Sequence, residues 1–127
     1  MALTLGNPTA GFPIATAARN AQADAFDDLV NTGGGTAGLR LRGSTTTLVT
    51  FSLSNPAFGA AATGVLTLSG TTISATASAG SATAVDNYQI LDRGGSVVWG
   101  GAVTGSDTIT SGQTVNLTSF AITWPAS

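Results

Sequence analysis

The sequence contains no cysteine, histidine, lysine or glutamate. Without cysteine there is neither a disulfide nor a thiolate metal site, and nothing about redox compartment follows from that. Without His, Cys, Lys and Glu the usual general bases and activated nucleophiles are missing, and no serine has a His or Lys to deprotonate it. Charge of either sign is scarce. Charged residues make up 8% of the chain, four Arg and six Asp with a net charge of −2, where soluble domains carry about 25%. From Gly43 to Val85 there is no formal charge at all. Four scattered Arg form no basic patch, which argues against nucleic acid as a partner. No run of eighteen apolar residues occurs, so no membrane span is expected. The stretch MALTLGNPTAGFP lacks a basic region and is broken by two prolines, so it does not read as a signal peptide.

What is present is small and uncharged. Ala, Gly, Ser and Thr supply more than half of the 127 residues. Such a bias can mean disorder, but disorder goes with low hydrophobicity and high net charge. Here the hydrophobic content is 43%, and Thr suits a pleated surface. The length predicts one domain able to bury a core. The small net charge gives little colloidal repulsion and points to a chain that works inside an assembly.

Residues 1–15 hold Leu3, Leu5, Phe12 and Ile14, punctuated by Pro8 and Pro13, a segment that is extended and cannot be helical. It is either a terminus laid on its own domain or an arm reaching a neighbouring subunit. A single domain is expected over 16–127, opening with a helix at about 16–31. Thr16 is the expected cap, Ala18, Ala21, Ala25 and Leu29 the expected face, with Phe26 and Val30 beside it, and Gly33–Gly35 the stop. From Gly38 the hydrophobic period becomes two: Leu39 and Leu41, then Val49, Phe51 and Leu53, then Leu66 and Leu68, then Ile73, Ala75 and Ala77. YQILDRGGSVVWGGAV reads as a hairpin turning at Asp92–Ser96. TVNLTSFAITWP reads as one last strand with a bulge near Thr118-Ser119, because Val115 and Leu117 differ in parity from Phe120, Ile122 and Trp124. The fold class that follows is mainly β: an antiparallel β-sandwich, Ig-like or jelly-roll-like, with one short N-terminal helix and an extended N-terminal arm.

The residues that could carry chemistry are few. Asp24, Asp27 and Asp28 read as the solvated face of the helix, and Asp86, Asp92 and Asp107 as turn residues. A calcium site at Asp92–Ser96 would rest on one acid. Gly33–Gly35 lacks the lysine of a phosphate loop. No catalytic, cofactor or metal residue is therefore expected. Arg40 and Arg42 are candidates for holding a partner's carboxylate, against a reading as edge charges that discourage unwanted pairing. Trp99 and Trp124 raise a carbohydrate platform; most aromatics are expected in the core, with Trp124 the candidate interface anchor. Phe58 is expected to be buried, in its own sandwich or against a neighbour. The candidate contact residues are thus Leu3, Leu5, Phe12, Ile14, Arg40, Arg42, Phe58 and Trp124.

Several stretches in order, AARNAQADAFDDLVNTGG, a Leu-Arg-Leu-Arg strand, SNPAFGAAATGVLTLSG, YQILDRGGSVVWGG and VNLTSFAITWP, resemble a family of small virion structural proteins of tailed bacteriophages. The resemblance spans Ala17–Pro125 and is strongest at residues 55–59 and 119–125. Tyr88 stands where the family favours Trp or Phe, and Trp124 where it often has His. The resemblance implies a non-enzymatic protein made in the host bacterial cytoplasm and carried on the virion. The role it most suggests is a capsid decoration or cement protein on the outer surface. Its implied partner is the major capsid protein lattice, and its implied state a homo-oligomer, with a trimer favoured. A tail, neck or receptor-binding spike component that binds host glycans is the alternative. A non-phage surface or pilus-like subunit is a third reading, disfavoured by the absence of a recognisable signal peptide.

Overall fold

The computed structural model describes residues 2–3, 14–78, 83–104 and 107–124. Leu5, Phe12 and most of the 1–15 segment lie outside the described residues. The described chain is mainly β, with one helix, α1 (Thr16–Val30), and ten strands. The strands are β1 (Gly38–Gly43), β2 (Thr46–Ser52), β3 (Val65–Thr67), β4 (Ile73–Thr76), β5 (Thr83–Ala84), β6 (Asn87–Leu91), β7 (Val97–Ala102), β8 (Thr108–Ile109), β9 (Thr114–Leu117) and β10 (Ala121–Thr123). All pairings are antiparallel. The main sheet runs β2-β1-β6-β7, and β3 pairs with β10, β4 with β9 and β5 with β8. This arrangement is consistent with a β-sandwich.

The register of the main sheet sorts its side chains into two faces, because successive residues of a strand point to opposite sides. Phe51, Leu39, Ile90 and Trp99 form one cross-strand row, and Val49, Leu41, Tyr88 and Gly101 the next. These rows face the core, where Leu39, Val49, Phe51 and Ile90 are almost fully buried. The opposite face carries Thr50, Arg40, Gln89 and Gly100 in one row, and Thr47, Arg42, Asn87 and Ala102 in another. Leu48 departs from the alternation. The pairing slips between Leu41 and Arg42, leaving Leu48 as the extra residue of a bulge, and it too is buried. The closing segment also departs from expectation. In place of one bulged strand the chain forms two, β9 on β4 and β10 on β3. The change of parity at residues 118–120 marks a change of sheet.

Helix α1 begins without the expected cap. Ala15 occupies the N-cap with no side-chain bond, and the Thr16 hydroxyl instead accepts from the Arg19 guanidinium at 3.0 Å. Its buried face is Ala23, Phe26 and Val30; Leu29, expected to face inward, is 47% exposed. The reason lies in four polar side chains beside that buried stripe. Asn20 Oδ1 accepts the Gly64 amide at 2.8 Å, Asp24 Oδ1 that of Ala61 at 3.2 Å, Asp27 Oδ1 that of Phe58 at 3.2 Å and Asn31 Oδ1 that of Ala57 at 3.0 Å. Positions 20, 24, 27 and 31 recur at helical spacing, and they meet the 57–64 segment in reverse order. The other side of that segment bonds back to the chain that follows it, through Gly59 N to Thr67 O, Ser69 N to Ala57 O and Ala62 with Val65. Residues 57–64 are therefore an irregular edge whose outward amides are satisfied by a helix, one way of covering a free edge. Its Ala and Gly residues leave room for the helix to approach.

Candidate interaction surface

The small-residue segment positions Phe58, and α1 positions Phe26, so both rings enter one aromatic cluster. Phe26 lies 6.0 Å from Phe58, 5.3 Å edge-on from Trp99 and 6.0 Å from Trp124, by ring centroids. Trp99 and Trp124 are 6.4 Å apart, and Phe120 joins Phe58 to Tyr88 at 6.3 and 5.4 Å. These spacings are those of favourable aromatic pairs, each worth about 0.5–1.5 kcal/mol beyond area burial. The Trp99 indole N–H donates to the Tyr88 hydroxyl at 3.2 Å. A Cβ on Gly101 would stand 2.6 Å from the Tyr88 ring, so the bare backbone of β7 is what lets this ring lie across it.

The cluster runs from the core to the surface at β7. Trp99 remains 39% exposed and Val97 48% exposed. β7 ends the order of the main sheet, and Val97–Ala102 contains neither charge nor proline. The Val103 amide bonds to Asp86 O. Alternation of antiparallel bonding then turns the backbone groups of Gly101 and Trp99 toward β6, and those of Ala102 and Gly100 away from it. The connection that follows α1 is fastened to the same hairpin: Gly35 N donates to Arg93 O at 2.8 Å and Arg93 Nε to Gly35 O at 2.9 Å.

The sequence-predicted contact residues do not gather here. Phe58 is 1% exposed, buried in its own chain, which removes it from the contact surface. Trp124 is half-buried within the aromatic cluster, beside the more exposed Trp99. Arg40 and Arg42 share the outer sheet face, but Arg40 Nε and Nη2 are both engaged by Gln89 Oε1 at 2.8 and 2.5 Å, and Arg42 Nη2 donates to Thr45 O at 2.9 Å. Ile14 is half-buried just before α1, and Leu3 is 79% exposed. Sequence reading undervalued Trp99 and β7; an uncharged strand closing a Gly-turn hairpin was the available signal.

Four of the six carboxylates, those of Asp24, Asp27, Asp86 and Asp92, bond backbone amides of the fold. Asp92 Oδ1 accepts the amides of Gly94 and Ser96, both at 2.9 Å, and Asp86 accepts the Ser44 amide with both oxygens. Asp24 and Asp28 are exposed, as expected of a solvated helix face, although Asp24 also holds the Ala61 amide; Asp27 departs from that expectation, half-buried against the 57–64 segment. Burial pushes the Asp27 carboxyl above the ordinary aspartate range; the Phe58 amide and Asn31 oppose this, and Asp28 and Asp24 add to it. Among the described residues no three His, Cys, Asp or Glu side chains group as metal ligands. A crevice of about 490 Å³ with a mixed lining is formed by Leu41, Val85, Val103, Ile109 and Val115 together with Asp107, Thr108 and Gln113. Asp107 is the one titratable group there, so the lining holds no acid–base pair. Among the described residues no helix is long and apolar enough to cross a membrane.

No family model, curated protein or solved structure matches the chain. The site is accordingly read from its own chemistry: an uncharged sheet edge, an exposed indole and a strongly exposed leucine.

Proposed function

We propose that this chain is a structural subunit of a tailed-bacteriophage particle, a decoration or cement protein on the outer capsid that binds the major capsid protein lattice. The observation that carries this reading is the pairing, in one charge-poor chain, of an uncharged strand edge at β7, unpaired among the described residues, with an exposed apolar residue, Leu3, on the N-terminal segment. Both suit a protein whose surface is covered by other subunits. The sandwich would be of Ig-like or jelly-roll-like type, and the working state a homotrimer. Binding the assembled lattice alone would stabilise it by mass action, and many sites would add avidity. Quantitative mass spectrometry of purified particles tests the proposal. Copies comparable to the major capsid protein are expected, with imaging placing them on the outer shell; a few copies per particle would overturn it.

The exposed Trp99 beside Trp124 and Tyr88 favours one second reading, a tail, neck or spike component that stacks host glycans on these rings. Binding of the isolated protein to a glycan array, lost in Trp99→Ala, is the outcome that reading requires.

A further inference from the structure

We infer that β7 receives the N-terminal segment of a neighbouring copy as an added strand, so that the subunits are joined by arm exchange. The inference rests on reading the chain as a subunit of a repeated assembly. Four large hydrophobic residues are exposed among those described: Leu3, Leu29, Val97 and Trp99. Val97 and Trp99 belong to β7, and Leu29 lies on the last turn of α1, whose following connection is fastened to the β6–β7 turn through Gly35 and Arg93. Leu3 is the most exposed of the four. The chain thus carries an apolar edge and an apolar tip, and among the described residues neither is covered.

The two fit each other as strand and edge. β7 offers outward backbone groups at Gly100 and Ala102 and carries neither lysine nor proline; its one edge guard is the bulge at Val98, which lies outside the Trp99–Ala102 stretch that would take the added strand. Addition of an extended peptide to such an edge is a common recognition mode, with affinity from the main chain and specificity from alternate side chains. Leu3-Thr4-Leu5 supplies that alternation. Laid along β7, Leu3 and Leu5 would fall on the inner face beside the Trp99 ring, and Thr4 on the outer face, whose rows hold Thr, Arg, Gln and Asn. Residues 1–18 and Val97–Ala102 contain no charged side chain, so the strand and the edge it pairs with bring no charged side chain to the contact. Thirteen residues precede Ile14, and an extended segment of that length spans up to about 40 Å. A body of this size has a radius of gyration of about 14 Å, so the segment is long enough to reach a neighbour. The contact joins two different surfaces, and a head-to-tail contact of this kind forms a ring when its rotation closes, a trimer among them, and an open filament when it does not.

Two full-length variants test the exchange. Leu3→Asp/Leu5→Asp spoils the arm and keeps the edge. Val97→Lys/Ala102→Pro spoils the edge and keeps the arm; proline at 102 removes a donor that points away from β6, a position an edge strand tolerates. Near-ultraviolet circular dichroism establishes that each retains native packing. In light scattering at matched concentration the unmodified chain is expected to self-associate. Each variant alone is expected to associate at least about tenfold more weakly, and their mixture to form a one-to-one complex, since one retains the edge and the other the arm. Hydrogen exchange at Gly100 and Ala102 should be slow in the unmodified oligomer and fast in the arm variant. A monomeric unmodified chain, undiminished association of either variant, or a mixture that stays apart would each overturn the inference. The experiment uses no particle. An arm-exchanged oligomer missing from the virion would refute the capsid reading alone, and a monomer found in high copy on the capsid would refute the exchange alone.

Discussion

Asp27 shows how a single residue can serve the fold and tax it at once. Its Oδ1 holds the Phe58 amide at 3.2 Å and the Asn31 amide at 3.0 Å, while burial raises its carboxyl above the ordinary range. The native state therefore binds this proton more tightly than the unfolded chain does. Its contribution is largest at acid pH and declines as pH rises through the native value. Asp27→Asn keeps an acceptor for Phe58 and removes the charge. The variant is expected to match or exceed the parent in melting temperature at pH 7, with the difference shrinking as pH approaches 4. Asp27→Ala leaves the Phe58 amide unpaired and is expected to cost about 1–3 kcal/mol in urea denaturation at neutral pH. Thr63, like Ser44, is a non-glycine residue held at positive φ. It sits at φ 50 with Gly64 at φ 75, both positive as a tight type I′ turn demands, and a β-branched residue is ill suited there. Arg19 Nη1 on Thr63 O and Asn20 on Gly64 N hold the turn to α1. Thr63→Asn is expected to raise stability by a few tenths to about 1 kcal/mol, read as an increase in the urea midpoint at unchanged slope.

At the scale of elements, α1 shows both what the sequence discloses and what it hides. Its extent was legible from the Ala-rich run and the glycines after it, and the structure ends it at Val30. Its orientation was not. A rule that puts apolar residues inside selects Ala18, Ala21, Ala25 and Leu29, because alanine on a helix carries little directional information. The informative positions were the polar ones, Asn20, Asp24, Asp27 and Asn31, which point at backbone amides of the 57–64 segment. Short Asn and Asp side chains commonly bond backbone in this way, but their target becomes visible only when the tertiary neighbour is known. The N-terminus of α1 remains uncapped at Ala15. Ala15→Asp is expected to supply the missing acceptor and also complement the helix dipole, stabilising by about 1 kcal/mol. Thermal melting of the two chains side by side checks this, and an unchanged midpoint would show that the terminus is already satisfied otherwise. The β6–β7 hairpin was the element best read in advance, since its Gly turn and alternation agree. The closing segment was misread, because a parity change marks a bulge and a change of sheet alike, and only the partners β4 and β3 distinguish them.

The whole molecule is held by apolar burial with little help from charge. The described residues include no buried polar or charged side chain, and the core joins Phe51, Leu39, Leu48 and Ile90 of the main sheet to Leu66, Phe58 and α1. That much of the architecture follows from strand alternation, as the rows across β2, β1 and β6 confirm. With ten charged residues in 127, dissolved salt has little to screen. The melting midpoint is therefore expected to move by no more than about 2 °C between low and half-molar sodium chloride. Phe51→Ala, which empties a fully buried site, should cost about 3–5 kcal/mol. For a domain of this length each kcal/mol lowers the midpoint by about 3–6 °C, so the core substitution should outweigh the salt effect severalfold. Scanning calorimetry on both chains at both salt concentrations makes the comparison directly. A salt shift as large as that of Phe51→Ala would mean that surface electrostatics, and not the aromatic and aliphatic core, sets the stability of this fold.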